Sequence, residues 1–128
     1  MNADSQHQRT LIQDMHDSAS RIVQLMHGIA MEHFMEDGNA VLQDAIAYRL
    51  VIIGEASASL LRKYPEFCRL HSEIPWASAR AMRNFVVHEY MNLCLDRVWE
   101  TGATSIPQLV TLLAALLESL SPEQEEDR

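Results

Sequence analysis

The sequence predicts an all-α protein, an up-and-down four-helix bundle with an additional or kinked C-terminal helix. Three observations support this prediction. Apolar side chains recur at three- and four-residue intervals through several long segments, the period of an amphipathic helix. Only 4 glycines and 4 prolines occur in 128 residues, too few for the many turns of an all-β fold. A chain of this length has room for one sizeable core, so we expect a single domain over residues 1–128 with its core over about residues 8–120.

The first two helices follow from apolar spacing and from turn signals. The first is predicted from about Ser5 to Ala30, and residues 31–39 form a connection that ends in an Asp-Gly-Asn turn signal. The second is predicted over about Ala40–Lys63, and its middle, residues 45–53, is apolar almost all round, which indicates burial on more than one side. The Tyr-Pro pair that follows ends this helix. Residues 66–74 are predicted as a loop with room for a short helical turn.

The second half of the chain predicts two further helical stretches. The third helix runs from about Pro75 to Tyr90, since proline suits the first helical position. Residues 91–95 form a short break, and Asp96 is a start signal for the fourth stretch. The last segment, Pro107–Leu120, carries leucines at helical spacing. Because its proline lacks a backbone N–H, the stretch should kink or split near Ser105-Ile106.

The charge balance limits the classes of partner. With 10 Lys and Arg against 18 Asp and Glu, the formal net charge is −8, which argues against a protein that grips nucleic acid by its overall charge. The basic residues are unevenly distributed along the chain, however. Residues 62–83 carry five cations and two carboxylates, a net charge of +3, which leaves −11 on the rest of the chain. A local basic surface can attract phosphate despite an acidic total. The alternative is ordinary solvated surface charge. The acidic tail, residues 121–128, is predicted to be disordered.

Targeting signals and metal-binding patterns are not evident in the sequence. The N-terminal residues hold no apolar run typical of a signal peptide, and the apolar stretch Ile106–Leu117 is too short to cross a bilayer. We therefore expect a cytoplasmic protein with no membrane association. Cys68 and Cys94 lack Cys-x-x-Cys spacing and are interpreted as reduced thiols, and the histidines share no ligand spacing with carboxylates or thiols. The prediction is that the protein holds no metal ion.

Four polar and reactive side chains are concentrated in the third predicted helix: Arg83, Asn84, His88 and Tyr90. At about 100° per residue they share an arc of about 160°. The opposite arc holds Met82, Phe85 and Val86, which should face the core.

These four side chains include groups that can bind phosphate and transfer protons. Arginine offers a charged planar fork for phosphate, and histidine exchanges protons near neutral pH. Asn84 lies four residues before His88, so its amide can orient the imidazole ring. RNA cleavage without a metal needs a base, an acid and a cation at the phosphate, and a symmetric dimer would supply two copies of each group. The residue types alone favour the simpler explanation, ordinary polar side chains at the surface of a helix with a capped end.

Several short sequence motifs, in the same order along the chain, resemble those of the HepT-like toxins of the HEPN superfamily. The family signature R-N-x-x-x-H-x-Y is complete over residues 83–90. Residues 51–56, VIIGEA, are similar to the family's IIGEA stretch. Residues 73–76 read EIPW before the motif, and residues 96–99 follow it in the DxxVW style. The likeness covers about residues 8–120.

The resemblance implies a HEPN-like helical bundle that forms a homodimer with its two motifs close together. It implies a metal-independent endoribonuclease without a cofactor, acting on RNA as the toxin of a toxin–antitoxin pair. The implied partner is an MNT-type nucleotidyltransferase antitoxin that can transfer AMP to Tyr90, and a higher assembly with it is possible. In this scheme Arg83 binds the scissile phosphate, His88 is the acid and base, and Asn84 supports the site.

Two carboxylates stand near the motif or its flanks as candidate supporting residues. Glu55 is interpreted as a hydrogen-bonded carboxylate in the interior or an interface, or alternatively as a partner of the motif Arg or His. Glu89 stands where relatives often have glycine, so either the helix bends there or Glu89 pairs with a cation such as Arg80 or Arg97. Gly54 is expected to permit close helix packing. The alternative function is a non-catalytic dimeric adaptor that docks a nucleotidyltransferase or binds a nucleotide.

Overall fold

A computed structural model describes residues 2–88 and 94–120, with the side chains of residues 87 and 88 outside that description. The α-helices are α1 (Ala3–Met26), α2 (Met31–Phe34), α3 (Ala40–Lys63), α4 (Pro65–Leu70), α5 (Trp76–His88), α6 (Leu95–Glu100) and α7 (Ile106–Ser119). A 3₁₀ turn at Asp37–Asn39 precedes α3, and a π-helical turn at Thr101–Ser105 joins α6 to α7. These described ranges contain no β-strand, and the all-α, HEPN-like fold class is confirmed.

The centre of the bundle is α3. It packs against α1 on one side and α5 on the other, and α7 packs against α1. This position explains why the middle of α3 is apolar almost all round. The fully buried core side chains come from several helices: Ile12, Met15, Ile22, Ile46, Leu50, Ile53, Leu60, Ile106 and Leu113.

The first helix is shorter than predicted. It ends at Met26 rather than Ala30 because Gly28 adopts a φ of 74°, a left-handed conformation that breaks the helix and that glycine adopts without strain. The connection that follows is also more ordered than expected, since residues 31–34 form the single turn α2 and residues 37–39 form the 3₁₀ turn. The predicted bounds of the second helix, by contrast, are confirmed by α3.

The segment between α3 and α5 was predicted as a loop with room for a short helical turn, and half of it is helical. Pro65 opens the six-residue helix α4, and its missing N–H is no loss in a first turn. The indole Nε1 of Trp76 donates to the carbonyl oxygens of Cys68 and His71, both at 3.0 Å, and so fastens the end of α4 to the start of α5. The predicted end of the third helix at Tyr90, the break before the fourth, and the tail over residues 121–128 lie wholly or partly outside the described residues.

The predicted interruption before Pro107 is present as the π-helical turn. The N–H of Ile106 bonds to the carbonyl of Thr101, five residues back instead of four. Proline cannot donate the next bond of an α-helical ladder, so a change of register here costs little.

Besides packing against each other, α1 and α7 are linked by hydrogen bonds from one arginine side chain. Nη1 of Arg9 on α1 donates to the carbonyl oxygens of Leu117 and Leu120, at 3.3 and 2.9 Å, at the end of α7. A cation there also complements the negative end of the helix dipole. Both cysteines are free, and burial raises the pKa of the Cys68 thiol. No helix among the described residues is both long and apolar enough to span a membrane.

Candidate active site around Arg83

The site is built where α3 and α5 touch most closely. A Cβ added to Gly54 of α3 would lie 2.7 Å from the backbone N and 2.9 Å from the Cα of Arg83, and closer still to its Cβ. Only a residue without a side chain permits this approach, so the expectation that Gly54 serves close packing is confirmed. The backbone of α3 therefore lies directly beneath the arginine of the motif.

A second contact fixes α5 on α3. The hydroxyl of Ser57, fully buried, donates to the carbonyl oxygen of Trp76 at 2.7 Å. This carbonyl belongs to the first turn of α5, seven residues before Arg83. Ser57 was not predicted from the sequence. Its signal was a hydroxyl group three residues after Gly54, flanked by alanines at positions 56 and 58.

The guanidinium of Arg83 is held by two side chains. Its Nη1 donates to Oε1 of Glu55 at 3.2 Å. Its Nε and Nη2 both donate to Oδ1 of Asn84, at 3.2 and 3.0 Å. A guanidinium has five N–H groups, and these contacts use three of them. With respect to the part of the chain that the structure describes, one N–H on each terminal nitrogen is left to meet a ligand.

The exposure of the pair suits such a ligand. The side chain of Arg83 is 30 % exposed and that of Glu55 is 60 % exposed. Glu55 thus lies at the surface of this chain, so its interpretation as an interior carboxylate is wrong, whereas the alternative, a partner of the motif arginine, is the contact observed. Glu55 lies there because it occupies the turn of α3 that flanks Gly54, where Arg83 crosses. Its place in an interface stays a prediction.

The hydrogen-bond partner of Asn84 is Arg83, whereas His88 was the predicted partner. The side-chain carbonyl oxygen of Asn84 accepts from Arg83, the adjacent residue, because the long arginine side chain folds back along the helix surface. The orientation of the imidazole by Asn84 stays a prediction, since the side chain of His88 is outside the described set. His88 is the last residue of α5, about 7.5 Å along the helix axis from Arg83. Glu89 and Tyr90 also lie outside the described residues.

The opposite face of α5 is buried as predicted. Met82, Phe85 and Val86 are 6–7 % exposed and belong to the core. The guanidinium carbon of Arg97 on α6 lies 4.1 Å from the centre of the Phe85 ring, a cation–π contact that ties α6 to the motif helix. Across residues 2–88 and 94–120, no group of three or more His, Cys, Asp or Glu side chains is placed to hold a metal ion.

Comparison with known proteins assigns the chain to a family. A family profile described as "Ribonuclease HepT-like" matches residues 15–116. The chain belongs to the HepT-like ribonuclease family. The resemblance found in the motif words is thereby confirmed.

Two relatives of this HepT-like protein illustrate the match. It is 34 % identical over 97 residues to a protein of Caldanaerobacter subterraneus subsp. tengcongensis named "Putative RNase", and the match covers 76 % of this chain and 82 % of the relative. It is 33 % identical over 98 residues to the "Probable ribonuclease HepT" of Thermococcus cleftensis, covering 77 % and 84 %. No solved structure matches the chain.

Proposed function

We propose that this HepT-like protein is a metal-independent endoribonuclease whose site is built on Arg83 and His88. The observation that carries the proposal is the clamped guanidinium of Arg83, which keeps one N–H on each terminal nitrogen for a phosphate. A phosphate oxygen on each of these donors would make a bidentate, charge-assisted contact. The family of the chain supports RNA as the substrate.

The proposed chemistry assigns one proton transfer to each histidine. The imidazole of one His88 removes the proton from a ribose 2′-hydroxyl, whose oxygen attacks the adjacent phosphorus. The bond from phosphorus to the 5′-oxygen of the next nucleotide breaks, and a protonated imidazole donates a proton to that leaving oxygen. Arg83 stabilises the extra negative charge on the phosphorus centre between these steps. Because one histidine performs one transfer at a time, the proposal includes a homodimer that supplies the second His88.

The cleavage test uses purified protein, a mixed RNA pool and a chelator. His88→Ala and Arg83→Ala should each lower the cleavage rate by about 10²-fold or more, the usual contribution of an acid–base or charge-stabilising group. The matched controls are His27→Ala and Arg21→Ala, both exposed and on other parts of the bundle, which should cleave like the wild type.

Equal cleavage by wild type and His88→Ala, or no cleavage of any RNA tried, would contradict the nuclease. The remaining candidate would then be a non-catalytic dimeric adaptor that docks a nucleotidyltransferase or binds a nucleotide. It is favoured by one observation, that Glu55 already pairs with the charge of Arg83.

We further propose that the protein is the toxin of a toxin–antitoxin pair whose antitoxin is an MNT-type nucleotidyltransferase. Transfer of AMP to the phenol oxygen of Tyr90 would place bulk and negative charge two residues from His88, which opposes binding of an anionic substrate. Co-expression with an MNT-type nucleotidyltransferase should raise the intact mass by one or more AMP units. Tyr90→Phe should keep its unmodified mass, and an unchanged mass of the wild type would contradict the modification.

A further inference from the structure

The basic side chains divide into those with a contact and those without one. Six described arginines make a hydrogen bond or a cation–π contact with another residue: Arg9, Arg21, Arg49, Arg69, Arg83 and Arg97. Three other basic residues have neither a hydrogen bond nor an ion pair to any residue in the ranges 2–88 and 94–120: Arg62, Lys63 and Arg80. All three are exposed. Within these described ranges they are available to an external anion, as are the two unused N–H groups of Arg83.

Measured along the helix axes from Arg83, these three cations lie toward the same end of the α3–α5 pair. The contacts of Gly54 with Arg83 and of Ser57 with Trp76 show that α3 and α5 run in opposite directions. The end of α3, with Arg62 and Lys63, therefore lies toward the start of α5. Arg80 is one helical turn before Arg83 on α5, about 4.5 Å along the axis. We call Arg62, Lys63 and Arg80 the α3–α5 basic surface.

A cleft opens beside this surface. It has a volume of about 450 Å³ and lies between the end of α3, α4 and the start of α5. Its lining is largely apolar, with Leu61, Ile74 and Trp76 among the contributing residues, and Ser72 and Ser78 add hydroxyl groups. Leu61 immediately precedes Arg62, so the cleft and the basic surface adjoin. An open cleft of this size can accept a nucleotide base or sugar.

The acidic groups in the same stretch of chain are already paired. Glu66 binds Arg69, and this ion pair lowers the pKa of the Glu66 carboxyl. Glu73 lies 3.5 Å from Nδ1 of His71. Arg69 cancels Glu66, and Glu73 contributes one negative charge, so the three cations of the basic surface leave a local excess of +2.

We propose that the α3–α5 basic surface binds the backbone of a single RNA strand that extends from the Arg83 site toward the cleft. The inference rests on the proposed function for its ligand, RNA, and it adds the direction in which the substrate leaves the reacting phosphate. Three cations on long side chains bind phosphates without reading bases, so this surface contributes affinity and salt dependence to every sequence alike. An acidic partner protein is the competing occupant.

The test measures binding without cleavage. A fluorescein-labelled single-stranded oligouridine is titrated with the His88→Ala protein at several salt concentrations, in a chelator, by anisotropy. The same titration is made with Arg62→Gln, Lys63→Gln and Arg80→Gln added together to that background. Each phosphate that is no longer neutralised should lower the salt slope by about 0.7 and the affinity at about 0.1 M salt by about fivefold.

Single substitutions provide the matched comparison. Arg80→Gln should weaken binding by about fivefold, whereas Arg21→Gln, an exposed arginine on α1, should leave it unchanged. Circular dichroism checks that each variant is folded.

Two results would overturn the inference. One is an unchanged affinity and salt slope in the triple variant, or no binding by its parent. The other is a triple variant that keeps RNA binding but no longer binds the nucleotidyltransferase, which would assign the surface to a protein. The nuclease proposal is tested separately, by comparing RNA cleavage by the wild type with cleavage by His88→Ala and Arg83→Ala. A failure of the basic surface is thus distinguishable from a failure of the nuclease.

Discussion

Two neighbours of Arg83 hold it with different electrostatic consequences. The amide of Asn84 is neutral, so it fixes the edge formed by Nε and Nη2 without reducing the charge of the guanidinium. The carboxylate of Glu55 fixes Nη1 but also brings a negative charge to the place where a phosphate would bind. Under the proposed function, Glu55 would be a positioning residue that orients the arginine while its charge opposes the binding of a phosphate.

Replacing Glu55 by Gln separates these two effects. The substitution removes the negative charge, so KM for RNA should fall. It also weakens the hold on Nη1, so kcat should fall, by about twofold to fivefold, the range of an exposed ion pair. Steady-state cleavage at fixed ionic strength measures both constants.

The matched control for this prediction is Glu36→Gln. It removes the same charge from an exposed carboxylate that lies near His33, before the start of α3, instead of beside Arg83. Both constants should stay near the wild-type values. A Glu55→Gln protein whose kcat and KM equal those of the control would show that the ion pair has no part in the reaction.

The sequence indicated some of these residues but not their arrangement. Arg83 and Asn84 were visible in one motif, whereas the pairing of Glu55 with the motif was only one of two alternatives, because Glu55 is 28 residues away and its contact depends on how two helices cross. Spacing within one helix cannot supply a tertiary contact. Nor could it show that Asn84 accepts from its own neighbour, since adjacent residues on a helix point in different directions.

At the scale of the helices, the spacing of α3 and α5 depends on Gly54. Replacing it by Ala would force a Cβ into the backbone of Arg83, and the two helices must separate to admit it. Overpacking of this kind costs roughly 1–3 kcal/mol of unfolding free energy. Urea unfolding followed by circular dichroism measures the decrease.

Gly38→Ala provides the control for Gly54→Ala. Gly38 lies in the 3₁₀ turn, and a Cβ there would meet no atom within 4 Å. Its unfolding free energy should stay close to that of the wild type. Equal stability of the two variants would show that the helices are not in tight contact at Gly54.

Helix boundaries were predictable where the pattern and the turn signals agree. The bounds of α3 follow from a polar turn before it and a Tyr-Pro pair after it. The end of α1 was missed because apolar residues continue in register beyond Met26, whereas the break depends on the φ of Gly28. The register of the π-helical turn was likewise not predictable, although Pro107 marked its place.

At the scale of the whole molecule, Arg9 links the two ends of the described chain. Replacing it by Ala would leave the carbonyls of Leu117 and Leu120 without their charged donor. Since α7 packs on α1, the effect should reach the whole bundle. We expect a fall of about 1.5–3 kcal/mol in the free energy of unfolding, the range of hydrogen bonds to a charged group.

Arg21→Ala is the comparison for Arg9→Ala. It removes the same side chain from an exposed position on the same helix, where the contact is a 3.5 Å hydrogen bond to Gln24. Thermal and urea unfolding should show little change. If the two variants lose stability equally, the contact with the end of α7 does not stabilise the bundle.

The clamp on Arg83 also affects the entropy of binding. A free arginine side chain loses up to about 2 kcal/mol of rotamer freedom when it is immobilised. In this protein three of its N–H groups are already bound before any ligand arrives. Much of the side-chain entropy of Arg83 is therefore already lost when the protein folds. A phosphate at the proposed site would restrict this side chain little further, so less entropy would be lost on binding.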